Sequence, residues 1–386
     1  QETEKEHEDI LEQADETDAM FGELYSWYLR NPEYRSRVQK LVQSAFAGKP
    51  EDIISQSVAK ALYGEVSPYS ATRLERFAAC AFAHFLQYGM KLTERVEYEF
   101  KPMDMGNVMH EALESFAEEV RKRGMKWTEL TEQERNEIAD RCLDNIVADY
   151  GNTVLKSSAR NEYMIERTRR ILRRTVWALQ KQLEQGEFQP EGFEVTFGGG
   201  RIDRVDIMED QNKVYVKVID YKTGNTSFDL VYLYHGLQLQ LMIYLDGALR
   251  VEQKKYPDKE IIPAGVFYYN IKDPMIQEKI DADVEAVSAG LMKELKMNGL
   301  AQADPELVYR MDSSLGSIPV AFNKDGSFRK NSSVADRTQF AVLGRYVRTK
   351  IEKIRSSILE GDAEVSPYEL GKKNACTYCP YMTVCG

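Results

Sequence analysis

The sequence predicts an α/β protein in which a β-sheet is flanked by helices, with further helices added. Apolar positions recur with a mainly helical period as far as about residue 190. Strand-like runs then follow at residues 192–197, 201–208, 214–219 and 264–271. Helical patterns return at residues 233–250, 282–298 and 337–360. Such elements bury their apolar faces most simply as helices packed on a sheet.

Composition sets the outer limits on size and location. The chain has 386 residues, of which 43% are hydrophobic, enough for two or three domains with apolar cores. It contains no run of 18 apolar residues and no signal-peptide pattern, so we expect a soluble, cytoplasmic protein with no membrane partner. Because it begins with Gln rather than Met and stops one residue after Cys385, we expect a piece of a longer protein.

Charge is distributed unevenly along the chain. The net charge of −11 argues against a general nucleic-acid binder. Residues 160–174 nevertheless contain six arginines. Such a run can bind phosphates, or it can be a solvated helix side paired with Glu162 and Glu166. The sequence leaves both interpretations open.

A β-hairpin is predicted around the polar turn at residues 209–213. If the hairpin folds symmetrically about this turn, Asp203 faces Asp220, with Cβ atoms about 5 Å apart. Two carboxylates so placed repel each other, and burial raises the cost of keeping both charged. We therefore expect a cation between them, either a divalent metal ion, Lys222 or both. The alternative is a solvated strand end at which Lys222 neutralises one carboxylate.

The same register sorts the hairpin side chains into two faces. Asp206 is predicted to form a plain cross-strand ion pair with Lys217, away from the other two aspartates. The face of this pair is predicted to hold Ile202, Arg204, Asp206, Lys217 and Tyr221. The opposite face is predicted to hold Asp203, Val205, Ile207, Val214, Val216, Val218, Asp220 and Lys222.

His110 lies in a predicted amphipathic helix, on the side that points towards packed structure. It shares that side with Leu113 and Ala117, and with Gly106 one turn earlier, which leaves room for a group to approach the imidazole. One interpretation is a core histidine bonded to a carbonyl. The other is a metal ligand, because an imidazole and two carboxylates suit Mg²⁺ or Mn²⁺.

Gln240 and Tyr244 lie four residues apart on one face of an otherwise apolar helix. Their polar ends can bond a phosphate, orient Lys222 or satisfy buried backbone groups. The sequence contains no phosphate-binding G-x-x-x-x-G-K-[ST] loop, so we do not expect this chain to use ATP.

Four cysteines form a one-plus-three pattern. Cys376, Cys379 and Cys385 close the chain, and Cys80 lies almost 300 residues earlier. Structural zinc sites more often use two close pairs, whereas this layout favours a [4Fe–4S] cluster. Such a cluster would clasp the two ends of the core together. Cys142 stands alone in a helix and is predicted to be a core residue.

Taken in order, the motifs resemble the RecB-type branch of the PD-(D/E)XK nucleases. These are G-x-x-x-H at residues 106–110, G-x-I-D at 200–203, D-Y-K at 220–222 and Q-x-x-x-Y at 240–244. Residues 70–80, residues 263–268 and the cysteine pattern narrow the resemblance to the C-terminal nuclease domain of the AddB (RexB) subunits of bacterial AddAB helicase–nucleases. Two departures are Ala81, where the family has Pro, and the segment between Phe197 and Arg201, which is short and is expected to lack residues.

The resemblance implies a PD-(D/E)XK, restriction-endonuclease-like core and a DNA exonuclease with two cofactors, Mg²⁺ (or Mn²⁺) and a [4Fe–4S] cluster. It implies that Asp203, Asp220, His110 and the backbone carbonyl of Tyr221 hold the divalent metal. Lys222 would then position the attacking water, with Gln240 and Tyr244 orienting Lys222 or the DNA. Cys80, Cys376, Cys379 and Cys385 would hold the cluster. Glu194 and Glu111 are expected in supporting positions.

The resemblance also predicts organisation and partners. Residues 1–65 would be the helical end of a preceding helicase-like region, and residues 66–386 the nuclease domain. The domain would act on single-stranded DNA ends beside an ATP-hydrolysing AddA-type subunit, cutting the 5′-ended strand during recombinational repair of double-strand breaks. Two alternatives are a catalytically inactive DNA-end clamp in the same complex and a stand-alone exonuclease.

Overall fold

A mixed six-stranded sheet organises the larger part of the protein. The computed structural model describes residues 19–46, 53–64, 70–93, 102–149, 158–198, 200–276 and 283–385. The chain divides into two units, residues 1–52 and residues 53–386. Polar breaks between helices are also predicted from the sequence near residues 48–50 and 64–70; residues 48–50, residues 65–69 and Gly199, in the short segment after Phe197, lie outside the described residues.

The first unit is helical where it is described. It contains α1 (residues 19–30) and α2 (Pro32–Phe46). The rings of Trp27, Tyr28 and Tyr34 pack against one another at the junction of the two helices. The origin of residues 1–65 in a helicase-like region stays a prediction.

The second unit begins with helices, as predicted. They are α3 (Gln56–Tyr63), α4 (Ala71–Ala79), α5 (Ala81–His84) with a π-helical turn (Phe85–Gly89), α6 (Pro102–Lys122), a 3₁₀ turn (Trp127–Glu129), α7 (Glu132–Asp149) and α8 (Ala159–Glu184). Serines cap three of them, because the Ser55, Ser70 and Ser158 hydroxyls accept backbone N–H groups of the first turns of α3, α4 and α8.

The strands and the remaining helices follow. They are β1 (Gln189–Phe197), β2 (Gly200–Asp210), β3 (Lys213–Lys222), α9 (Leu230–His235), α10 (Gln240–Lys255), β4 (Glu260–Asn270), α11 (Val284–Glu294), β5 (Asn298–Gln302), α12 (Pro305–Met311), β6 (Val334–Ala335), α13 (Arg337–Glu360), β7 (Glu369–Leu370), β8 (Lys373–Asn374) and α14 (Met382–Cys385). The sheet order is β1-β2-β3-β4-β5-β6, while β7 and β8 form a separate ribbon. Strands β3 and β4 are parallel, and β1, β2 and β3 are antiparallel.

Two helical layers cover the sheet. Helices α6, α7 and α8 pack on one face, which includes Ile219, Phe267 and Tyr269. Helices α3, α4, α10 and α13 pack on the other face, which includes Val218 and Val266. Alternate residues of β4 enter opposite clusters, as expected for a central strand that is buried on both sides.

Two predicted helices have different bounds in the structure, and one strand was not predicted. The helix predicted at residues 233–250 is two helices, because Gly236 ends α9 with a left-handed backbone (φ 83°). A Cβ atom at Gly236 would also lie 3.2 Å from Cβ of Ala78. The helix predicted at 282–298 ends at Glu294, and Asn298 begins strand β5, which was not predicted. The helix predicted at 337–360 is confirmed as α13.

The side-chain alternation of the hairpin breaks at one position. Ile202 packs with Val205 in the α10-side cluster, so its predicted place on the Arg204 face was wrong. The break lies beside an irregularity in β1, where Val195 pairs with Ile202 and Glu194 has a left-handed backbone (φ 50°) between Phe193, which packs against one cluster, and Val195, which packs against the other. Irregular strands of this kind redirect side chains.

In the described part of the chain, no helix combines the length and the apolar character needed to cross a membrane.

Candidate active site

The β2–β3 hairpin has the predicted register. Asp206 is the Cα partner of Lys217, and Asp210 is the partner of Lys213 across the turn. The same register, continued beyond the last ladder pair, brings Asp203 opposite Asp220. Asp203 Oδ2 accepts a hydrogen bond from the Tyr221 backbone N–H at 2.7 Å. The end of the hairpin therefore concentrates the two carboxylates predicted for the site.

His110 reaches the same place from helix α6. Its Nδ1 lies 3.4 Å from Asp203 Oδ2 and 3.6 Å from Glu194 Oε1. Burial by itself lowers the pKa of His110, but hydrogen bonds to Asp203 and Glu194 and their charges outweigh it and raise the pKa to about 10. The imidazole is therefore a charged partner of the carboxylates when no other cation is present.

Among the described residues, His110, Glu194 and Asp203 are the three metal-ligand side chains whose donor atoms all lie within 4.8 Å of one another. Glu194, expected only in a supporting position, belongs to this cluster, and Arg201 Nε lies 2.5 Å from its Oε2. The left-handed backbone of Glu194 could not be predicted from the sequence. Glu111, the other expected supporting residue, lies exposed on α6.

The glycine before His110 meets the end of β3. A Cβ atom at Gly106 would lie 3.4 Å from Oγ1 of Thr223, the residue after Lys222. The space that the sequence predicted at this position is therefore bordered by Thr223, directly after the D-Y-K segment. This approach brings α6 and β3 together at the site.

Asp220 is a fully buried carboxylate. Burial and the charge of Asp203 outweigh the opposing effects of Lys222 and His110 and raise its pKa to about 7. Its Oδ2 lies 2.7 Å from Lys222 Nζ, yet neither carboxylate oxygen accepts a hydrogen bond of normal geometry from a described residue. Buried acceptors left open in this way fit a hard cation that takes oxygen ligands, so the donor set here suits Mg²⁺ or Mn²⁺.

Lys222 is held by the two predicted residues of helix α10. Its Nζ donates to Gln240 Oε1 at 2.7 Å, and Gln240 Nε2 donates to the Tyr244 hydroxyl at 2.9 Å. The Tyr244 ring packs edge-on against Phe197, with ring centroids 5.9 Å apart. The Lys222 ammonium also lies 5.5 Å from the centre of the Tyr268 ring. These contacts fix the lysine at the edge of the carboxylate cluster.

The Asp206–Lys217 ion pair is confirmed, but its surroundings were not predicted. Lys217 Nζ lies 2.9 Å from Asp206 Oδ2, and Arg204 Nε lies 2.5 Å from Asp206 Oδ1. Asp206 is 0% exposed, Arg204 2% and Lys217 5%. The pair is thus part of a buried three-residue network on the α6–α8 side of the sheet.

Three of the six arginines of α8 pair with acidic residues of the same unit. Arg169 contacts Asp144 and Glu166, Arg170 contacts Asp273, and Arg173 contacts Asp140. Of the two acidic partners expected from the sequence, Glu166 is found in an ion pair. The contacts favour the interpretation of the run as a paired helix side.

The predicted cluster cysteines lie where α4 meets the C-terminal segment. Cys80 ends α4 and packs with Tyr381 and Cys379. Burial raises the pKa of Cys385, and the nearby Cys80, Cys376 and Cys379 raise it further. All four are free thiols. Among the described residues, no cysteine belongs to a group of side chains whose donor atoms lie close enough together to bind one metal ion. The [4Fe–4S] cluster therefore stays a prediction.

The C-terminal segment is tied to the same region by its backbone. The Phe82 N–H donates to the Glu364 carbonyl and the Tyr368 N–H to the Ala79 carbonyl, both at 2.9 Å. The Tyr381 hydroxyl donates to the Leu92 carbonyl at 2.9 Å. Cys142 is buried in the α6–α8 cluster, which confirms its assignment as a core residue.

Comparison with known proteins agrees with this geometry. The model of the PD-(D/E)XK nuclease superfamily matches residues 68–386. Similar proteins, each named as one subunit of an ATP-dependent helicase/deoxyribonuclease, include those of Lachnoclostridium phytofermentans (41% identical), Alkaliphilus metalliredigens (35%) and a Thermoanaerobacter species (34%). The first two matches cover 95% of this chain and the third 96%, and each covers 34% of the relative, so the chain spans about a third of their length. The resemblance inferred from the motifs is confirmed: the chain belongs to the PD-(D/E)XK nuclease superfamily.

Proposed function

We propose that this chain is the metal-dependent DNA exonuclease domain of a helicase–nuclease subunit. The observation that carries the proposal is the continuous set of contacts from Asp220 through Lys222 and Gln240 to Tyr244, beside the carboxylates and imidazole of the cluster. Metal-assisted phosphodiester hydrolysis uses acidic metal ligands and a fixed cation beside them, and this set supplies both.

The divalent metal would be held by Asp203, Asp220, His110 and the Tyr221 backbone carbonyl. When bound, it would polarise the scissile phosphate and lower the pKa of a bound water. Lys222 would donate a hydrogen bond to the attacking water and stabilise negative charge on the phosphate oxygens. The Gln240 amide keeps the Lys222 ammonium in one direction, because its oxygen accepts from Nζ while its nitrogen donates to Tyr244.

We further propose a [4Fe–4S] cluster bound by Cys80, Cys376, Cys379 and Cys385. The support is their common position at the junction of α4 and the C-terminal segment. When bound, the cluster would supply a covalent link between two chain segments that are distant in sequence. The four cysteine thiols would be the protein ligands of that link.

The names of the similar proteins support a setting in a larger complex. In that setting an AddA-type partner subunit would hydrolyse ATP and deliver single-stranded DNA ends. The domain would cut the 5′-ended strand during the processing of double-strand breaks for recombinational repair.

Cleavage of labelled single-stranded DNA with Mg²⁺ or with EDTA tests the function. We expect the wild type to degrade the strand with Mg²⁺ and not with EDTA, and Lys222→Ala to lose at least about 100-fold in rate because a charged transition-state contact is removed. Lys213→Ala, at the exposed far end of the same strand, is the matched control. A wild type that binds single-stranded ends without cutting them would overturn the proposal in favour of a catalytically inactive end clamp.

A further inference from the structure

The helix that holds Lys222 has no cap of its own. Helix α10 begins at Gln240, and Leu239 before it makes no side-chain capping bond. The first N–H groups of a helix need acceptors from elsewhere. Glu75 of helix α4 provides one, because its Oε1 accepts from Leu239 N–H at 2.7 Å and from Gln240 N–H at 2.9 Å. An acidic side chain also suits the positive end of the helix dipole.

The capped residue is the one that binds the lysine. Gln240 receives the carboxylate of Glu75 at its backbone N–H, while its side chain accepts from Lys222 Nζ at 2.7 Å. Burial raises the pKa of Glu75 to about 7, and the two backbone bonds and the charge of Lys222 oppose that rise. The carboxylate of Glu75 is thus close enough to Lys222 for their charges to interact.

Glu75 also belongs to a short, fixed helix. Its neighbour Arg76 has Nη2 3.9 Å from Cys379 Sγ, and Cys80 caps the end of the same helix four residues after Arg76. Helix α4 therefore touches the C-terminal cysteine segment and the start of α10. Because both contacts are made by a nine-residue helix, Glu75 has little freedom to move away from α10.

We propose that Glu75 is a positioning residue of the nuclease site, which fixes the first turn of α10 and, through Gln240, the direction of the Lys222 ammonium. The proposal rests on the proposed nuclease function and adds a residue that touches neither the metal ligands nor the DNA. It predicts that loss of the cap lowers the rate of the chemical step and leaves DNA binding intact.

The first test compares kcat and KM for single-stranded DNA in the 386-residue chain. For Glu75→Ala we expect kcat to fall on the order of 10- to 100-fold, because small displacements of a catalytic group have effects of this size, with KM within about 2-fold. Glu75→Gln keeps an acceptor oxygen, so it is expected to recover kcat to within about 3-fold of the wild type. Equal kcat in Glu75→Ala and the wild type would overturn the proposal.

The matched control is a cap far along the chain from the site residues. Asp304 Oδ1 accepts from two backbone N–H groups at the start of α12, at 3.0 Å from Glu306 and 3.3 Å from Leu307. Asp304→Ala removes a comparable cap and is expected to keep wild-type kcat. If it loses as much kcat as Glu75→Ala, the effect is general destabilisation and the inference fails.

A double-mutant cycle tests the route through Gln240. If Glu75 acts through Gln240, the double variant Glu75→Ala/Gln240→Ala is no slower than Gln240→Ala alone. If the fold-losses in kcat of the two single variants multiply in the double variant, Glu75 acts independently of Gln240, and the proposal is overturned.

Two further measurements do not depend on cleavage. Glu75→Ala is expected to speed hydrogen exchange of the Leu239 and Gln240 amides and to speed acylation of the Lys222 amine, both read by mass spectrometry, while Asp304→Ala changes neither. A wild type without cleavage would refute the nuclease proposal alone. Unchanged exchange and acylation in Glu75→Ala would refute the positioning role alone.

Discussion

Replacing Asp206 with alanine is expected to destabilise the protein strongly, although Asp206 is not proposed for catalysis. Asp206 is 0% exposed and faces two cations. Arg204 Nη2 donates to its Oδ2 at 2.9 Å, and Lys217 Nζ lies 2.9 Å from the same oxygen. Among the described residues, neither cation has another carboxylate within ion-pair distance. The substitution therefore leaves two buried charges without their counter-ion.

The size of the loss follows from that geometry. Removing one partner of a buried ion pair costs about 3–5 kcal/mol. The guanidinium of Arg204 lies 5.6 Å from the Phe193 ring and the ammonium of Lys217 lies 5.1 Å from the Phe188 ring, so part of each charge remains stabilised. We expect a net loss of about 4 kcal/mol, a large part of the roughly 5–15 kcal/mol of a typical domain.

The assay is urea unfolding at pH 7, followed by circular dichroism. With a denaturant dependence of about 3 kcal/mol per molar, the midpoint should fall by more than about 1 M. Asp210→Ala is the control, because its pair with Arg310 is 40% and 23% exposed and should contribute less than about 1 kcal/mol. An Asp206→Ala midpoint equal to that of Asp210→Ala would refute the reasoning. At temperatures where the variant is folded, we expect its DNA cleavage to be retained.

Other predictions concern the site, the cysteines, pH and the partner. Asp203→Ala and Asp220→Ala should each abolish Mg²⁺-dependent cleavage of single-stranded DNA; an active Asp203→Ala variant would contradict the site assignment. Anaerobic purification should give a brown protein with about four irons per chain, lost in Cys80→Ala and kept in Cys142→Ala; a folded, colourless zinc protein would contradict the cluster. Burial lowers the pKa of His84 to about 3, so the folded state keeps it neutral while the unfolded chain protonates near pH 6.5. The contribution of neutral His84 to the free energy of unfolding is complete above pH 6.5 and is lost as the pH falls towards 3. The free energy of unfolding should therefore drop by about 2 kcal/mol between pH 7.5 and pH 5, and His84→Gln should remove that drop. Urea unfolding that gives the same pH dependence of stability for His84→Gln and the wild type would contradict this assignment. Finally, blunt duplex DNA should resist the chain until an ATP-hydrolysing subunit is added, because opening each base-pair step costs roughly 1–2 kcal/mol; efficient ATP-free digestion of duplex would indicate a self-sufficient exonuclease.

The hairpin shows what local sequence can predict. The turn is short and polar, and the strands on either side are adjacent in the chain. These two features predict a register with Asp206 opposite Lys217, and the structure has that register. The same register led to Asp203, Asp220 and Lys222 as neighbours. The error at Ile202 lies beside the turned backbone of Glu194 in the neighbouring strand, a feature with no mark in the alternation of β2.

The contact of Glu75 with α10 shows what local sequence cannot predict. Residues 70–80 were noticed for their resemblance to a family pattern, but no role for the acid followed from it. Its backbone partners Leu239 and Gln240 lie more than 160 residues away along the chain. A missing cap at Leu239 was the available signal, since neither Leu239 nor Gln238 is a favoured capping residue. Such a signal shows that an acceptor is needed and does not say which residue supplies it.

The parallel pairing of β3 with β4 has a consequence for the order of folding. A hairpin such as β2–β3 can form within microseconds, so Asp203 and Asp220 can meet early. Strand β4 can join only after the crossover through α9 and α10, and that crossover carries Gln240. The last partners of Cys80 are at the end of the chain. A chain emerging from the ribosome therefore brings Asp203 and Asp220 together before Gln240 is present to fix Lys222.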